Sequence, residues 1–512
     1  MAGRPVRAGR RWRTPLVLAT GAVVLGLAIR AGRRGDGAGR AGGPIRFDSR
    51  LARNAELTRV GAKAGGSFAV HRARRTFASA ERREVLDREH EMKTAEQIAE
   101  ALGHMKGALM KLGQMASYLD QGLPEPVREA LAQLQQDAPP MSAELAAGVI
   151  TAELGRSPEE IFEQWDPVPI ASASIGQVHR AITRDGRAVA VKVQYPGIDQ
   201  AIRADLDNVD FLFTLMGMLF PGMDPGPIVE ELRERLLEEI DYGLEADNQR
   251  LFVDYYRDHP HIHVPEVVDE LSTARVLTTE LAAGARFDEV RGWSPEERNL
   301  AAETIYRFVF GSIYRLGVFN GDPHPGNYLF EPGGRVTFLD YGLVKHFEDE
   351  IAIFEDLIDT MVLAHDPPAF RRILEDVGLM AAGLDVTDEQ VIDYFSHFYE
   401  LVMTEGEVLI TPEYASESVR RYFDLSGPHA DIMKSANLPP GFVIIQRINL
   451  GLNALFAELG ATGNWRRLAE EIWPRVEAAP STPLGEAHAA WKRAGGGQGE
   501  RPRPEALDEQ AG

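Results

Sequence analysis

The sequence predicts an α+β chain, with two sheet-forming hairpins and a largely helical stretch toward its C-terminal side. Three observations carry that reading. First, the small-residue loop Ile170-Ala-Ser-Ala-Ser174 runs into a strand, and a second strand, Ala188–Gln194, follows the turn Arg184-Asp185-Gly186-Arg187. Second, the apolar runs Tyr328–Phe330 and Val336–Leu339 flank Glu331-Pro332-Gly333-Gly334, which marks another hairpin. Third, the chain from Trp293 onward is otherwise helical in pattern. Its breaks fall at Asp366-Pro367-Pro368, Thr411-Pro412 and Leu438-Pro439-Pro440-Gly441.

The second hairpin sits inside the most informative stretch, Val318–Leu343. Asp322 is followed five residues later by Asn327, and Asp340 opens Asp340-Tyr341-Gly342. Asn327 and Asp340 flank the two strands, so pairing brings them side by side. Asp322 lies just upstream on a loop stiffened by Pro323, Pro325 and Gly326. Three oxygen ligands on such a platform suit a hard cation such as Mg²⁺, with phosphates completing its shell. The order D-x4-N then D-[FY]-G is that of the protein-kinase catalytic and metal-binding loops.

The first hairpin carries the matching lysine. Val189-Ala190-Val191-Lys192 fits the V-A-I-K strand motif upstream of those loops. The preceding loop has Ala171 and Ala173 where a kinase has glycines, and alanine resists φ > 0. Residues 199–256 read as helical, with Glu239, Asp241 and Glu245 the acids available to pair with Lys192. Residues 264–281 read as two strands and a turn ending in a hinge at Glu280, Leu281 and Ala282. Residues 143–165 read as one further helix, and 346–364 as another.

At the N-terminus, residues 14–29 are uncharged and mostly apolar between arginine clusters, and are read as a short membrane anchor rather than a cleaved signal. Arginines on both sides give the positive-inside rule no orientation. Residues 81–120 read as a strong helix with apolar residues at 98, 102, 105, 109, 112 and 116. Near its end, Lys111 and Gln114 share a face. Residues 477–512, rich in Pro, Gly, Ala and charge, are expected to be disordered.

Composition narrows the chemistry. The 512 residues include no cysteine, which excludes disulfides, thiolate metal sites and cysteine nucleophiles. The net charge is −22, yet residues 1–50 hold eleven arginines against Asp36 and Asp48; that segment is +9 and the remainder −31. So acidic a body argues against nucleic acid as a partner, and the basic N-terminus favours an anionic membrane surface. Localisation is therefore expected to be cytoplasmic or membrane-associated.

Taken together, Lys111-x-Gly113-Gln114, the alanine loop at 171–174, Lys192, Glu239-x-Asp241, Asp322-Pro-His-Pro-Gly-Asn327 and Asp340-Tyr-Gly resemble the AarF/UbiB (ABC1-type) family of atypical kinase-like ATPases. The resemblance covers roughly residues 85–470. It implies a bilobal protein-kinase-like fold with an added N-terminal helical subdomain. The expected divisions are a tail (1–45), a helical extension (46–145), an N-lobe (146–282), a C-lobe (283–476) and a disordered end (477–512).

The resemblance also implies ATP and Mg²⁺ as cofactors, ATPase activity, and support of isoprenoid-quinone or related membrane-lipid biosynthesis. The partners it implies are a lipid or quinone-like small molecule and quinone-biosynthesis proteins. In that reading Asp322 is the catalytic acid residue, and Asn327 and Asp340 hold the metal. Lys192 contacts phosphate and pairs with Glu245, while Lys111 and Gln114 sit against Glu239 and Asp241. Ile170, Ala171, Ser172, Ala173, Ser174, Ile175, Gly176, Gln177 and Val178, with Glu280 and Leu281, line the nucleotide.

There are departures from the pattern. Phe319-Asn320-Gly321 stands where kinases have His-Arg before the aspartate, Tyr341 replaces the usual Phe, and the apolar segment is N-terminal rather than C-terminal. Two other classes compete: a protein kinase acting on polypeptides, and a nucleotide-binding pseudoenzyme scaffold. The absence of an A-P-E motif disfavours the first, and the presence of Lys192, Asp322, Asn327 and Asp340 disfavours the second.

Overall fold

The computed structural model describes residues 142–172, 175–199, 202, 237–238, 240–320, 324–347, 350–422, 432 and 440–501. All of them belong to one compact unit. The expectations for residues 14–29, the helix through Lys111 and Gln114, and Ala173, Ser174, Glu239 and Asp322 lie outside the described residues.

Ser142 begins the first helix, α1 (Ala143–Leu154), its hydroxyl accepting from the Leu145 N–H, and Gly155 ends it at φ 72°. The expected single helix over 143–165 stops there. Ser157 and Pro158 restart one turn, α2 (Pro158–Ile161), and the chain then becomes a strand, β1 (Phe162–Trp165). The i, i+3 spacing of Phe162 and Trp165 imitates a helix. Pairing with the next strands overrides it, and Trp165 stacks on His179 at 4.6 Å between ring centroids.

β2 (Ala171–Ser172), β3 (Gly176–Thr183) and β4 (Ala188–Gln194) follow. After helix α3 (Tyr242–Tyr255) and the short β5 (Ile262–His263) comes β6 (Val276–Glu280). The antiparallel sheet runs β1-β3-β4-β6, with β2 folded onto β3. Of the two strands expected over 264–281 only the second forms; the first is reduced to a bridge between Val267 and Thr279 and a 3₁₀ turn at Asp269–Leu271.

Strand alternation gives this sheet two different faces. Val189, Val191, Val193 and Val276 are buried with Ala146 and Ile150 of α1 in one apolar core. The opposite face carries the half-buried Val178, Ala190, Lys192 and Thr279 and remains open. Val178 and Leu277 lie directly across from Lys192 on the neighbouring strands.

Past β6 the chain enters a second core. Helices α4 (Phe287–Val290) and α5 (Pro295–Gly311) lead through a π-helical turn into β7 (Val318–Asn320). The expected hairpin is β8 (Tyr328–Glu331) with β9 (Arg335–Phe338), and β10 (Val344–His346) returns antiparallel to β7. Then come α6 (Glu350–Ile358), α7 (Pro367–Asp376), α8 (Asp388–Met403), β11 (Val408–Leu409), α9 (Pro412–Tyr422), α10 (Pro440–Leu459), β12 (Thr462–Gly463) and α11 (Trp465–Ile472). The proline-marked breaks are helix starts, where the missing N–H costs nothing. Phe252, Phe308, Phe338 and Tyr341 lie at the centre of this core, with Phe308 and Phe338 stacked at 3.6 Å. Each such ring contributes on the order of 2–3 kcal/mol.

Residues 477–501 correct an expectation. They include a helix, α12 (Pro483–Arg493), capped by Thr482, with Leu484 and Trp491 buried. Overall composition concealed the Thr-Pro start and the apolar pair two turns apart. Trp491 Nε1 donates to the Arg257 carbonyl at 2.8 Å, just past the C-terminal end of α3. His488 meets the buried His259 at 3.0 Å. His259 Nδ1 accepts the Ile262 N–H, so its Nε2–H donates to His488 Nδ1.

Adding a proton to either ring would oppose two donors in a buried space. Burial holds His259 down at about 2 and His488 at about 3. Below the ordinary histidine pKa, the unfolded chain therefore takes up protons that the folded one refuses. Stability should be intact above pH 6.5 and fall below it, by about 1.4 kcal/mol per pH unit for each histidine. Urea unfolding between pH 7 and 5 should show a shallower loss for His488→Gln than for the wild type; equal slopes would refute this.

Candidate functional site

Lys192 and its partners lie where the open sheet face meets α3 and the Asp340 loop. Asp241 caps α3, its carboxylate accepting from the Gly243 and Leu244 N–H groups, and Glu245 lies in the first turn. The favourable field at a helix N-terminus suits an acid there. Glu245 is 3% exposed and takes the Lys192 ammonium in both oxygens, at 2.7 and 2.8 Å. Asp340 Oδ2 stands 3.7 Å from the same nitrogen, and the Tyr242 ring centre 5.0 Å away. Burial alone would push the lysine pKa down. The carboxylates of Asp340 and Glu245 outweigh it and raise the pKa well above the ordinary value.

Asp340 is fixed by its backbone. Its Oδ1 accepts from Gly342 N–H at 3.0 Å, and Asn320 Nδ2 donates to its carbonyl at 2.5 Å. Tyr341 is fully buried against Phe252 at 4.9 Å, and its hydroxyl donates to the Phe338 carbonyl, so the extra oxygen relative to Phe is satisfied. Asn248 Nδ2 donates to the Tyr341 carbonyl at 3.2 Å. Across the hairpin mouth, Leu339 N–H donates to the Asn327 carbonyl at 3.0 Å, which places Asn327 beside Asp340.

These residues fit Mg²⁺. It is usually held by one or two carboxylates plus substrate phosphates, and Asp340 keeps a third of its side chain exposed with Asn327 adjacent. Among the described residues, no three His, Asp or Glu side chains converge into a self-sufficient metal cage.

The remaining expected site residues separate. Val178 shares the open face with Lys192. Ile170 and Ala171 are exposed; Ile170 N–H donates to Val178, and β2 places Ala171 and Ser172 opposite Val178 and Gln177. Ile175 is buried, and its carbonyl accepts from Tyr195 N–H. Gly176 is packed so closely that a Cβ would collide with the Val193 carbonyl oxygen.

Gln177 does not face the cleft. Its side chain is fully buried on the other face, where its amide meets His179 at 2.8 Å. The N–H groups of Glu280 and Leu281 are engaged by the carbonyls of Glu266 and Ala188, so neither is a backbone donor toward a ligand. The Glu280 carboxylate pairs with His263 at 3.2 Å.

Sequence reasoning missed Tyr242, Asn248 and Asn320. Asn248 lies three residues after Glu245, so reading that helix face further would have reached it.

Replacing Lys192 with methionine strands the Glu245 carboxylate. Lys192→Met should cost about 3 kcal/mol of unfolding free energy, and Lys192→Met/Glu245→Leu should recover at least about half of that. Urea denaturation reads both, and a double variant no more stable than the single one would contradict the pairing.

The family model for the ABC1 atypical kinase-like domain matches residues 133–364. The chain is 34% identical over 258 residues to the rat protein named atypical kinase COQ8B, mitochondrial, covering 50% of this chain and 49% of that one. It is 30% identical over 283 residues to the yeast (Saccharomyces cerevisiae) atypical kinase COQ8, mitochondrial, covering 55% and 56%. The chain thus spans about half the length of these curated relatives. A solved structure of Rv3197 with erythromycin, from Mycobacterium tuberculosis, is 32% identical with a TM-score of 0.57, covering 76% of this chain and 98% of that one.

Proposed function

The chain belongs to the ABC1/UbiB-type atypical kinase family, with its mixed, bilobal kinase-like fold, and from that premise we propose that it binds MgATP in the cleft beneath the open sheet face, hydrolyses it, and serves isoprenoid-quinone or related membrane-lipid biosynthesis. The observation that carries the reading is the Lys192–Glu245–Asp340 cluster. Glu245 aims the ammonium, and Lys192 holds its charge in a site that attracts phosphate. Asp340 and Asn327 would hold the metal, which would supply positive charge to offset that of the phosphates. Asp322 orients the attacking oxygen and accepts its proton. The half-buried Val178 and Ala190 give the nucleotide an apolar ceiling.

The membrane role draws on what the family resemblance implies and on the basic N-terminal segment. Among the described residues no helix is long and apolar enough to cross a membrane.

The test measures phosphate release by the purified protein with anionic vesicles and quinone-like phenols, beside a screen for phosphorylated polypeptides. Release should rise on the order of several-fold with the lipid and phenol, since bound partners shift populations toward the competent state. Strong labelling of generic proteins without stimulated release would overturn the lipid reading in favour of a protein kinase.

A further inference from the structure

Two asparagines that the pattern of the active-site loops does not mark hold consecutive peptide carbonyls of the metal loop. Asn320, at the end of β7, donates to the carbonyl of Asp340, and Asn248, on α3, donates to the carbonyl of Tyr341. Both are nearly buried, at 9% and 7% exposure. We propose that Asn248 and Asn320 are positioning residues that fix the Asp340–Tyr341 backbone so that the Asp340 carboxylate faces the metal while Lys192 stays in range. This rests on the nucleotide reading above and specifies how that site is held.

Three observations support the role. First, the two bonds come from two different elements, a strand and a helix. The β7–β10 pairing places Asn320 opposite Val344, whereas Asn248 reaches in from a helix. Rotating the Asp340–Tyr341 unit breaks both bonds and expels the buried Tyr341 ring from its contact with Phe252. Second, Glu245 and Asn248 are one turn apart on the same helix. A single movement of α3 therefore releases the lysine and the metal loop together, and a seated α3 fixes both.

Third, Asn320 is poorly explained as a stabilising residue. Its Oδ1 is buried and finds no hydrogen-bond partner among the described residues. An unmet buried acceptor costs free energy that a leucine of similar size would not. What asparagine supplies there is the donor to Asp340.

The experiment measures ATP affinity by calorimetry with and without Mg²⁺, in the wild type, Asn248→Leu, Asn320→Leu and Asn320→His. Histidine keeps an N–H donor of similar reach. The leucine variants should lose at least about ten-fold in MgATP affinity and at most about two-fold in metal-free ATP affinity, because only the metal-dependent increment needs the loop held. Asn320→His should retain most of that increment.

A purely structural role would lower melting temperature and leave the ratio of the two affinities untouched; that result in both folded leucine variants overturns the proposal. If the leucine variants fail to fold, Asn320→His decides, since a folded histidine variant without the increment overturns it as well. A wild type with no metal-dependent increment would sink the nucleotide reading itself, and this proposal with it.

Discussion

The ion pair between Lys192 and Glu245, with Asp340 as a second carboxylate, is the constraint on which the arrangement of the site depends. It ties a strand, a helix and a loop that come from widely separated parts of the chain. Lys192 belongs to a sheet whose other face is packed on α1. Asp340 follows a hairpin that belongs to the other core. An ammonium so enclosed, left without its carboxylates, would surrender its proton; with them it stays charged.

Helix α3 joins the two halves. At its N-terminus Asp241 caps it, and Glu245 points to the sheet; its C-terminal half sends Phe252, Tyr255 and Tyr256 into the larger core. Helix α12 then closes over that far end through Trp491 and the His259–His488 contact. The residues that aim the lysine are thus held by packing remote from the cleft. A well-packed core transmits such a constraint because it has little free volume in which to deform.

Much of this was legible in the sequence because the relevant signals are local. The Asp185-Gly186 turn and the Glu331–Gly334 turn each announce a hairpin, and the strand bounds around Lys192 follow from alternation. The sequence left Glu239, Asp241 and Glu245 open as partners, and only the family resemblance favoured Glu245. What sequence could not supply depended on contacts distant along the chain. β1 forms because β3 is there to receive it. α12 forms because Trp491 bonds to the Arg257 carbonyl and Leu484 is buried beside the Gly334 turn, although the surrounding composition reads as a solvated tail. The carbonyl partners of Asn248 and Asn320 belong to the same class, although the helix face of Glu245 leads to Asn248 itself. An asparagine donating to a carbonyl twenty or ninety-three residues away leaves no periodic trace. Gln177 shows the reverse error: adjacency to the loop suggested the cleft, but its place in the strand turns it to the core.

The decisive property of the site is whether Asp340 couples metal to nucleotide. Titrating ATP into the wild type and into Asp340→Asn, each with and without Mg²⁺, measures that coupling. Tighter binding with the metal in the wild type, by about ten-fold or more, and loss of that gain in Asp340→Asn is the predicted result, since the amide removes a charge the cation needs. An Asp340→Asn variant that binds MgATP as tightly as the wild type would contradict it.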